Sequence, residues 1–337
     1  RRLGPASERS NMSYTHARRR CNPYESLDTM MFLNRSAIKL ANMDALLNFS
    51  LLPPTKRNCT FVDLCGAPGG FSEYLLWRYP CCRGYSMSLR GRNEQGKGLS
   101  WKLRNNSHRY KICYGVYGTG DINKYENVQA LHEMMESDDA NVELVVADGG
   151  FDAQRNAEHQ EELTQKLVVC QAAAALSILS TGGTLVIKLF GFQTTVIRNV
   201  LQSFHESFAN FIVLKPISSR PASAERYVVC TGFKGRSRSA HWDGRAKWCN
   251  QVLLGQQNQT TPGKYAKLYN YLDECDRDLL NLNLSACFSI LSVLERSAAG
   301  IELDDDDDDH ETDAPPVHVA AYRLAWRLDY SNNDYTL

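Results

Sequence analysis

The stretch Phe61 to Tyr74, FVDLCGAPGGFSEY, constrains this chain more than any other. An apolar run leads into Asp63 and Leu64, the glycines Gly66, Gly69 and Gly70 follow closely, and Phe71 opens an apolar helical pattern. Glycine lets the backbone turn tightly and come close to a ligand. A strand, a glycine turn and a helix in succession mark the carboxyl end of a strand in an open α/β sheet, where such folds seat nucleotides and cofactors. Taken alone, the unit also fits a loop that binds nothing. No Lys-Ser or Lys-Thr follows the glycines, which removes a Walker loop and with it kinase and ATPase readings. The spacing is not GxGxxG, and Pro68 fixes φ where a dinucleotide loop needs a free N–H. A cofactor without a phosphate bridge fits better.

Around this unit the pattern alternates. Met30 to Leu47 carries apolar residues at helical spacing and places Lys39 inside a helix. A strand at 60–65, a helix at 70–78 and a short strand near 84–89 follow, then a polar loop at 90–111. Strands at 141–150 and 182–190 are each preceded by a helical pattern, the second by a long helix from Glu158 to Leu179. A helix near 193–208, a strand at 211–215, the polar loop SSRPASAE and the strand RYVVCTGF complete the series. The alternation predicts a doubly wound, Rossmann-like α/β sheet, mainly parallel, with antiparallel pairing for its last two strands. The expected organisation is a basic arm over 1–30, the α/β core over 31–240 and a helical extension over 241–337. Helical patterns cover Lys264 to Glu295 and 317–330, and Trp242, Trp248 and Trp326 read as packing residues.

Charge and cysteine content narrow the class. The 38 basic and 38 acidic residues cancel, but Asp304 to Asp309 is an uninterrupted acidic run, and without it 38 basic face 32 acidic residues, a net of +6. That run is expected to lie in a solvated, disordered loop near 302–315 rather than to hold a metal. The arm holds Arg1, Arg2, Arg9, Arg18, Arg19 and Arg20 against Glu8, and fits either a solvated tail or a set of phosphate contacts. Eleven cysteines without paired CxxC spacing argue for reduced thiols and against a disulfide frame or a zinc site. Adjacent Cys81 and Cys82 are poorly placed to bridge each other. No stretch approaches a membrane span and no signal peptide opens the chain, so a nuclear or cytosolic location is expected. The chain opens on Arg1 rather than Met, and an upstream part is expected to be missing.

Three charged residues fall at predicted strand boundaries. Asp148 ends one apolar strand, Lys188 ends another, and Glu225 precedes a third. Lys188 follows Leu-Val-Ile in a run that should be buried on both faces, where an ammonium is costly unless paired or neutralised. A structural Lys–Asp pair is one reading. The other is that Lys39 and Lys188 converge with Asp148 and Glu225, so that the balance of burial and charge places one lysine near the operating pH as a base for a sugar hydroxyl.

The order Lys39, DLCGAPGGFSEY, Gly120-Asp121-Ile122, VVADGG, LVIKLF and SSRPASAERYVVC resembles the FtsJ-like family of S-adenosylmethionine-dependent RNA ribose 2′-O-methyltransferases. CNPYE at 21–25, FLNRSAIKLANMD at 32–44 and SSRPASAERYVVC at 218–230 are similar to the branch that methylates the first ribose of capped RNA. The resemblance runs from about 18 to 235. It implies a tetrad of Lys39, Asp148, Lys188 and Glu225, with Lys188 the proton acceptor. It implies an S-adenosylmethionine seat at Cys65, Gly66, Ala67, Pro68, Gly69, Gly70 and Phe71, with Asp121 and Ile122 at the adenosine end and Asp148 beside them. No metal is implied. Arg18, Glu158, Gln160, Arg220 and Ser223 fall at substrate positions for a capped RNA bearing 7-methylguanosine, and a partner in transcription or capping is an open possibility. Ser223 stands where the family has asparagine and Asp28 where it has a basic residue. Other FtsJ-like activities, on the second cap nucleotide or on ribosomal or transfer RNA, and a catalytically silent RNA-binding module are the competing readings.

Overall fold

Strand β1 (Thr60–Leu64) is buried along its whole length, as a run of apolar residues covered on both faces must be. It is an interior strand, third in order, of a seven-stranded sheet in a computed structural model that describes residues 12–22, 24–25, 31–52, 58–91, 101–103, 108–150, 159–235, 242–254 and 263–301, with backbone alone at 242–247. Asp28, Glu158, the aspartate run, Trp326 and the predicted helix at 317–330 lie outside the described residues.

The other strands are β2 (Arg83–Met87), β3 (Tyr110–Ile112), β4 (Val142–Ala147), β5 (Leu179–Leu189), β6 (Phe208–Leu214) and β7 (Arg226–Phe233). Their order is β3-β2-β1-β4-β5-β7-β6; the first five pair in parallel, and β7 runs antiparallel to both β5 and β6. The chain winds outward from β1 to β3 and then returns to β4 on the other side of β1. The carboxyl ends of β1 and β4 therefore flank the switch point, the place where open α/β sheets leave a crevice. This is the Rossmann-like α/β architecture expected from the alternation.

The helices are α1 (Tyr14–Arg20), α2 (Arg35–Leu46), α3 (Gly70–Arg78), α4 (Tyr125–Ser137), α5 (Gln160–Ile178), α6 (Thr195–Ser207), α7 (Trp242–Leu253) and α8 (Ala266–Ala298). Side chains alternate across the sheet with period two. Val62, Leu64, Val145, Leu185, Ile187 and Val228 face one core, while Phe61, Val146, Val186, Tyr227 and Val229 face the other, which α2 and α3 cover. By the same parity Asp63 and Lys188 point to the α2 side, the side that carries Lys39.

Three features depart from the sequence reading. Tyr110 to Ile112, at the end of the predicted polar loop, forms β3; with three residues it is too short to produce a legible alternation, and it is held by Tyr110 packing beside Phe61 and Trp101. The arm is not all free chain, because α1 buries Ala17 against Ile290, Val293 and Leu294 of α8. Ser13 caps it, accepting from the His16 N–H at 3.2 Å. Finally, the 33-residue α8 is long and apolar enough to cross a membrane, contrary to the expectation of no such stretch. Its first turns pack on the core, where Leu268 and Leu272 are buried, Asp273 pairs with Arg198 at 2.5 Å and Asp276 pairs with Arg226, while Leu280, Leu282, Leu284 and Phe288 farther along are exposed. All eleven cysteines are free.

Candidate active site

Four charged side chains meet where β4, β5 and β7 face α2. Asp148 directly follows β4; its main-chain carbonyl accepts from Lys188 Nζ at 2.7 Å, and its Oδ1 lies 3.1 Å from the same nitrogen. Tyr227, opposite Lys188 in the β5–β7 ladder, donates its hydroxyl to Asp148 Oδ1 at 2.8 Å. Glu225 directly precedes β7. Its Oε1 stands 2.6 Å from Lys39 Nζ and accepts the Ser219 hydroxyl at 2.7 Å, while its Oε2 is 4.0 Å from Lys188 Nζ. Lys39, Asp148, Lys188 and Glu225 thus form one connected cluster of two amines and two carboxylates.

Burial works to lower the Lys188 pKa and to raise that of Glu225, and the facing charges win in both cases. Asp148 and Glu225 hold Lys188 above the ordinary lysine value, and Lys39 followed by Lys188 brings Glu225 down to about 2. Lys188 is therefore an ammonium in this arrangement, and the expected neutral amine near the operating pH is not met. Two carboxylates within ion-pair reach outweigh what burial alone would do.

Secondary contacts place each member. Asn34 caps α2, its side chain accepting from the Ser36 N–H at 2.9 Å. Buried Asp44 accepts the hydroxyls of Tyr74 at 2.8 Å and Tyr79 at 2.7 Å, tying α2 to α3 and so fixing the height of Lys39. The segment before β7 is held at several points. Lys215, at the end of β6, donates to the carbonyls of Ser223 at 2.6 Å and Glu225 at 2.8 Å. Burial, against the attraction of Glu225, lowers the Lys215 pKa to about 8. Asn283 of α8 donates to the Ser223 carbonyl at 2.9 Å, and Asn42 of α2 accepts from the Ile217 N–H at 2.8 Å. Beside this segment lies a pocket of about 160 Å³ lined by Arg35, Lys39, Ser219, Arg220, Ser223 and Glu225.

The glycine turn opens next to the cluster. Gly69 has φ +114°, a left-handed conformation that caps the start of α3, and a Cβ at Gly66 would stand 2.2 Å from the Asp63 carboxyl. Asp63 is buried; Ser72 donates its hydroxyl to Oδ2 at 2.6 Å, while Oδ1 is buried without a hydrogen bond among the described residues. Burial pushes its pKa up to about 7. Lys102 donates its N–H to the Pro68 carbonyl at 3.0 Å, bringing Trp101 and Leu103 against Gly69.

Over residues 32–233, more than half of the chain, the sequence matches the FtsJ-like methyltransferase family. The chain belongs to that family. The chain is 38% identical over 240 residues to a Mus musculus protein called cap-specific mRNA (nucleoside-2′-O-)-methyltransferase 1, covering 65% of this chain and 28% of that protein. The Homo sapiens protein of the same name is 36% identical over 240 residues, with the same coverage, and that of Drosophila melanogaster 32% over 272, covering 75% of this chain and 33% of that protein. The chain therefore spans about a third or less of these relatives' length. A solved structure of human methyltransferase-like protein 13 overlaps 68% of this chain and 95% of its own at 12% identity, with a TM-score of 0.39; the fold rests on the sheet order instead.

FtsJ-like methyltransferases use S-adenosylmethionine, and the turn fits such a group. An open acceptor lies beneath it at Asp63 Oδ1, and a Cβ at Gly66 would strike the Asp63 carboxyl. Cys65 is an unreactive thiol, its pKa pushed up to about 12 by burial and then by Asp63. Ala67 and Pro68 are joined by a cis peptide. Buried Phe71 packs its ring 6.2 Å from that of Tyr227, linking the turn to the residue that holds Asp148. At the far end, Asp121 Oδ1 accepts from the Asn123 N–H at 2.9 Å, Ile122 is buried, and Gly120 passes so close to Ser88 that a Cβ would lie 1.8 Å from its carbonyl oxygen.

The predicted substrate residues are divided. Arg220 and Ser223 line the pocket. Arg18 approaches Glu25 at 3.8 Å. Gln160 opens α5 and is not among the pocket residues, and Glu158 lies outside the described residues. Sequence reasoning missed Asp63, Tyr227, Ser219, Lys215, Glu25 and Arg35. Only Asp63, a carboxylate inside an apolar strand, left a signal of the kind that singled out Lys188.

Proposed function

We propose that this chain transfers a methyl group from S-adenosylmethionine to the ribose 2′-hydroxyl of the first transcribed nucleotide of capped RNA. The observation that carries the reading is the cluster of Lys39, Asp148, Lys188 and Glu225, opening on a pocket edged by Arg35 and Arg220. A buried lysine, Lys188, beside a half-buried one, Lys39, is expensive to keep in a module that only binds. The relatives' printed name supports the cap as the feature recognised.

When bound, S-adenosylmethionine supplies a methyl carried on a positively charged sulfur, which departs with the bonding electron pair as a neutral thioether. Cys65 to Phe71 would hold its methionine end, and Asp121 and Ile122 its adenosine end. Lys188, once deprotonated, accepts the 2′-hydroxyl proton as the oxygen bonds to carbon. Asp148 and Glu225 orient the resulting ammonium, and Lys39 holds Glu225 in place. The reaction needs alignment and exclusion of water rather than covalent chemistry on the protein. Because Lys188 rests as an ammonium, its small neutral fraction limits the rate, which rises with pH. A nuclear or cytoplasmic location belongs to this reading.

The test is methyl transfer from radiolabelled S-adenosylmethionine to a short RNA with a 7-methylguanosine cap, beside the same RNA uncapped, using wild type and Lys188→Ala. Label on the first ribose of capped RNA alone, lost in the variant, is expected. Equal label on both RNAs points to another FtsJ-like activity, and none, with the cofactor bound, to a silent module.

A further inference from the structure

Glu25 is a half-buried carboxylate at the end of the CNPYE segment, and three guanidinium groups converge on it. Arg35 of α2 stands 2.7 Å from Oε2, and Arg220, 195 residues along the chain, donates to Oε1 through Nε at 3.1 Å and through its NH2 group at 2.8 Å. Arg18 of α1 lies 3.8 Å from Oε1. Asn22 completes the shell, donating to Oε2 at 2.7 Å. Burial works to raise the Glu25 pKa, and Arg220 and Arg35 bring it down to about 2, so the carboxylate is charged at every working pH. One negative and three positive charges leave the group a net two positive. Arg35 and Arg220 also line the pocket shared with Lys39 and Glu225, and Arg18 keeps a buried Nε without a hydrogen bond among the described residues.

We propose that Glu25 is a positioning residue that assembles Arg18, Arg35 and Arg220, from three separate parts of the chain, into one cradle for an RNA phosphate beside the tetrad. Left alone, three long cations would repel one another and sample many rotamers, each costing entropy to order on binding. The carboxylate removes both costs in advance while leaving donors on each fork for a phosphate, which guanidinium groups recognise by shape as well as charge. Arg35 further donates to the Ser218 carbonyl at 2.8 Å, which ties the cradle to the segment that carries Glu225. Phosphate position and ribose position are thereby coupled. The proposal rests on the reading of the substrate as RNA.

Glu25→Gln separates positioning from simple electrostatics, because the two predict opposite signs. Removal of a negative charge makes the site more cationic, so a purely Coulombic role predicts tighter RNA binding. Positioning predicts weaker binding, by about tenfold, the worth of one lost charge-assisted fork. Binding of a short 3′-labelled RNA with a 7-methylguanosine cap is measured at several salt concentrations. The slope of log affinity against log salt is expected to become shallower by about one, as a phosphate contact is lost. Arg220→Lys keeps the charge but loses the fork, and is expected to weaken binding similarly, with the double variant no worse than either single one. Binding in Glu25→Gln as tight as wild type or tighter, or losses that multiply in the double variant, overturns the proposal. Should Glu25→Gln fail to fold, unchanged affinity in Arg220→Lys overturns it alone. These measurements need no turnover, so a wild type that binds RNA without methylating it sinks the functional reading and leaves this test standing.

Discussion

Glu225→Gln keeps the size of the side chain and an acceptor for Ser219 while removing one charge from the tetrad. Lys188 Nζ lies 4.0 Å from Glu225 Oε2. At an effective dielectric of about 20, unit charges at that distance attract by about 4 kcal/mol, equivalent to about three pKa units. Lys39, 2.6 Å from the other oxygen, already neutralises part of that carboxylate, and the pocket admits water. The Lys188 pKa is therefore expected to fall in the variant, by less than that full Coulombic amount. In wild type, where the two carboxylates raise that pKa, the neutral amine grows tenfold per pH unit and log rate climbs with a slope near one between about pH 7 and 9.5, without a plateau. In Glu225→Gln the climb bends over at lower pH than in wild type, although the rate at its maximum falls because Lys39 and Lys188 lose their common anchor. Single-turnover methyl transfer at saturating cofactor and RNA, from pH 6.5 to 10, reads both curves. A variant profile with an unbroken slope would refute the role of Glu225 in setting this protonation, and a flat wild-type profile would refute Lys188 as the base.

Two further outcomes follow from buried groups. Asp63, with its pKa raised to about 7 by burial, favours its protonated form in the fold, so its contribution to stability declines as pH rises from about 4 to 7; Asp63→Asn, neutral throughout, should gain on wild type across that range by on the order of 3 kcal/mol. Melting curves at pH 4 and pH 8 check this, and parallel behaviour of the two proteins would contradict it. Tyr227→Phe retains the ring against Phe71 but removes the donor to Asp148, a bond to a charged acceptor worth about 2 kcal/mol. Up to about a thirtyfold loss in kcat with little change in cofactor affinity is expected, and an unaltered kcat would remove Tyr227 from the mechanism.

What the sequence determined by itself was local. β1, its glycine turn and α3 were legible because a buried strand, a left-handed turn and a helix start each demand particular residues within a few positions of one another, and α3 spans the predicted 70–78. Lys188 was legible for a related reason, since an ammonium in an apolar strand must be explained wherever it is found. The tertiary structure alone decided the rest. β3 owes its existence to an edge beside β2 and to Tyr110 packing on Phe61, neither of which its three residues announce. The basic arm reads equally as a solvated tail or a set of phosphate contacts, and only the packing of Ala17 against α8 shows that part of it is a docked helix. The gathering of Arg18, Arg35 and Arg220 on Glu25 spans nearly the whole core, and no spacing in the chain encodes it. Even the protonation of Lys188 escaped the sequence. Burial and facing charge push its pKa in opposite directions, and which one wins depends on separations of a few ångströms that exist only once β4, β5, β7 and α2 are packed together.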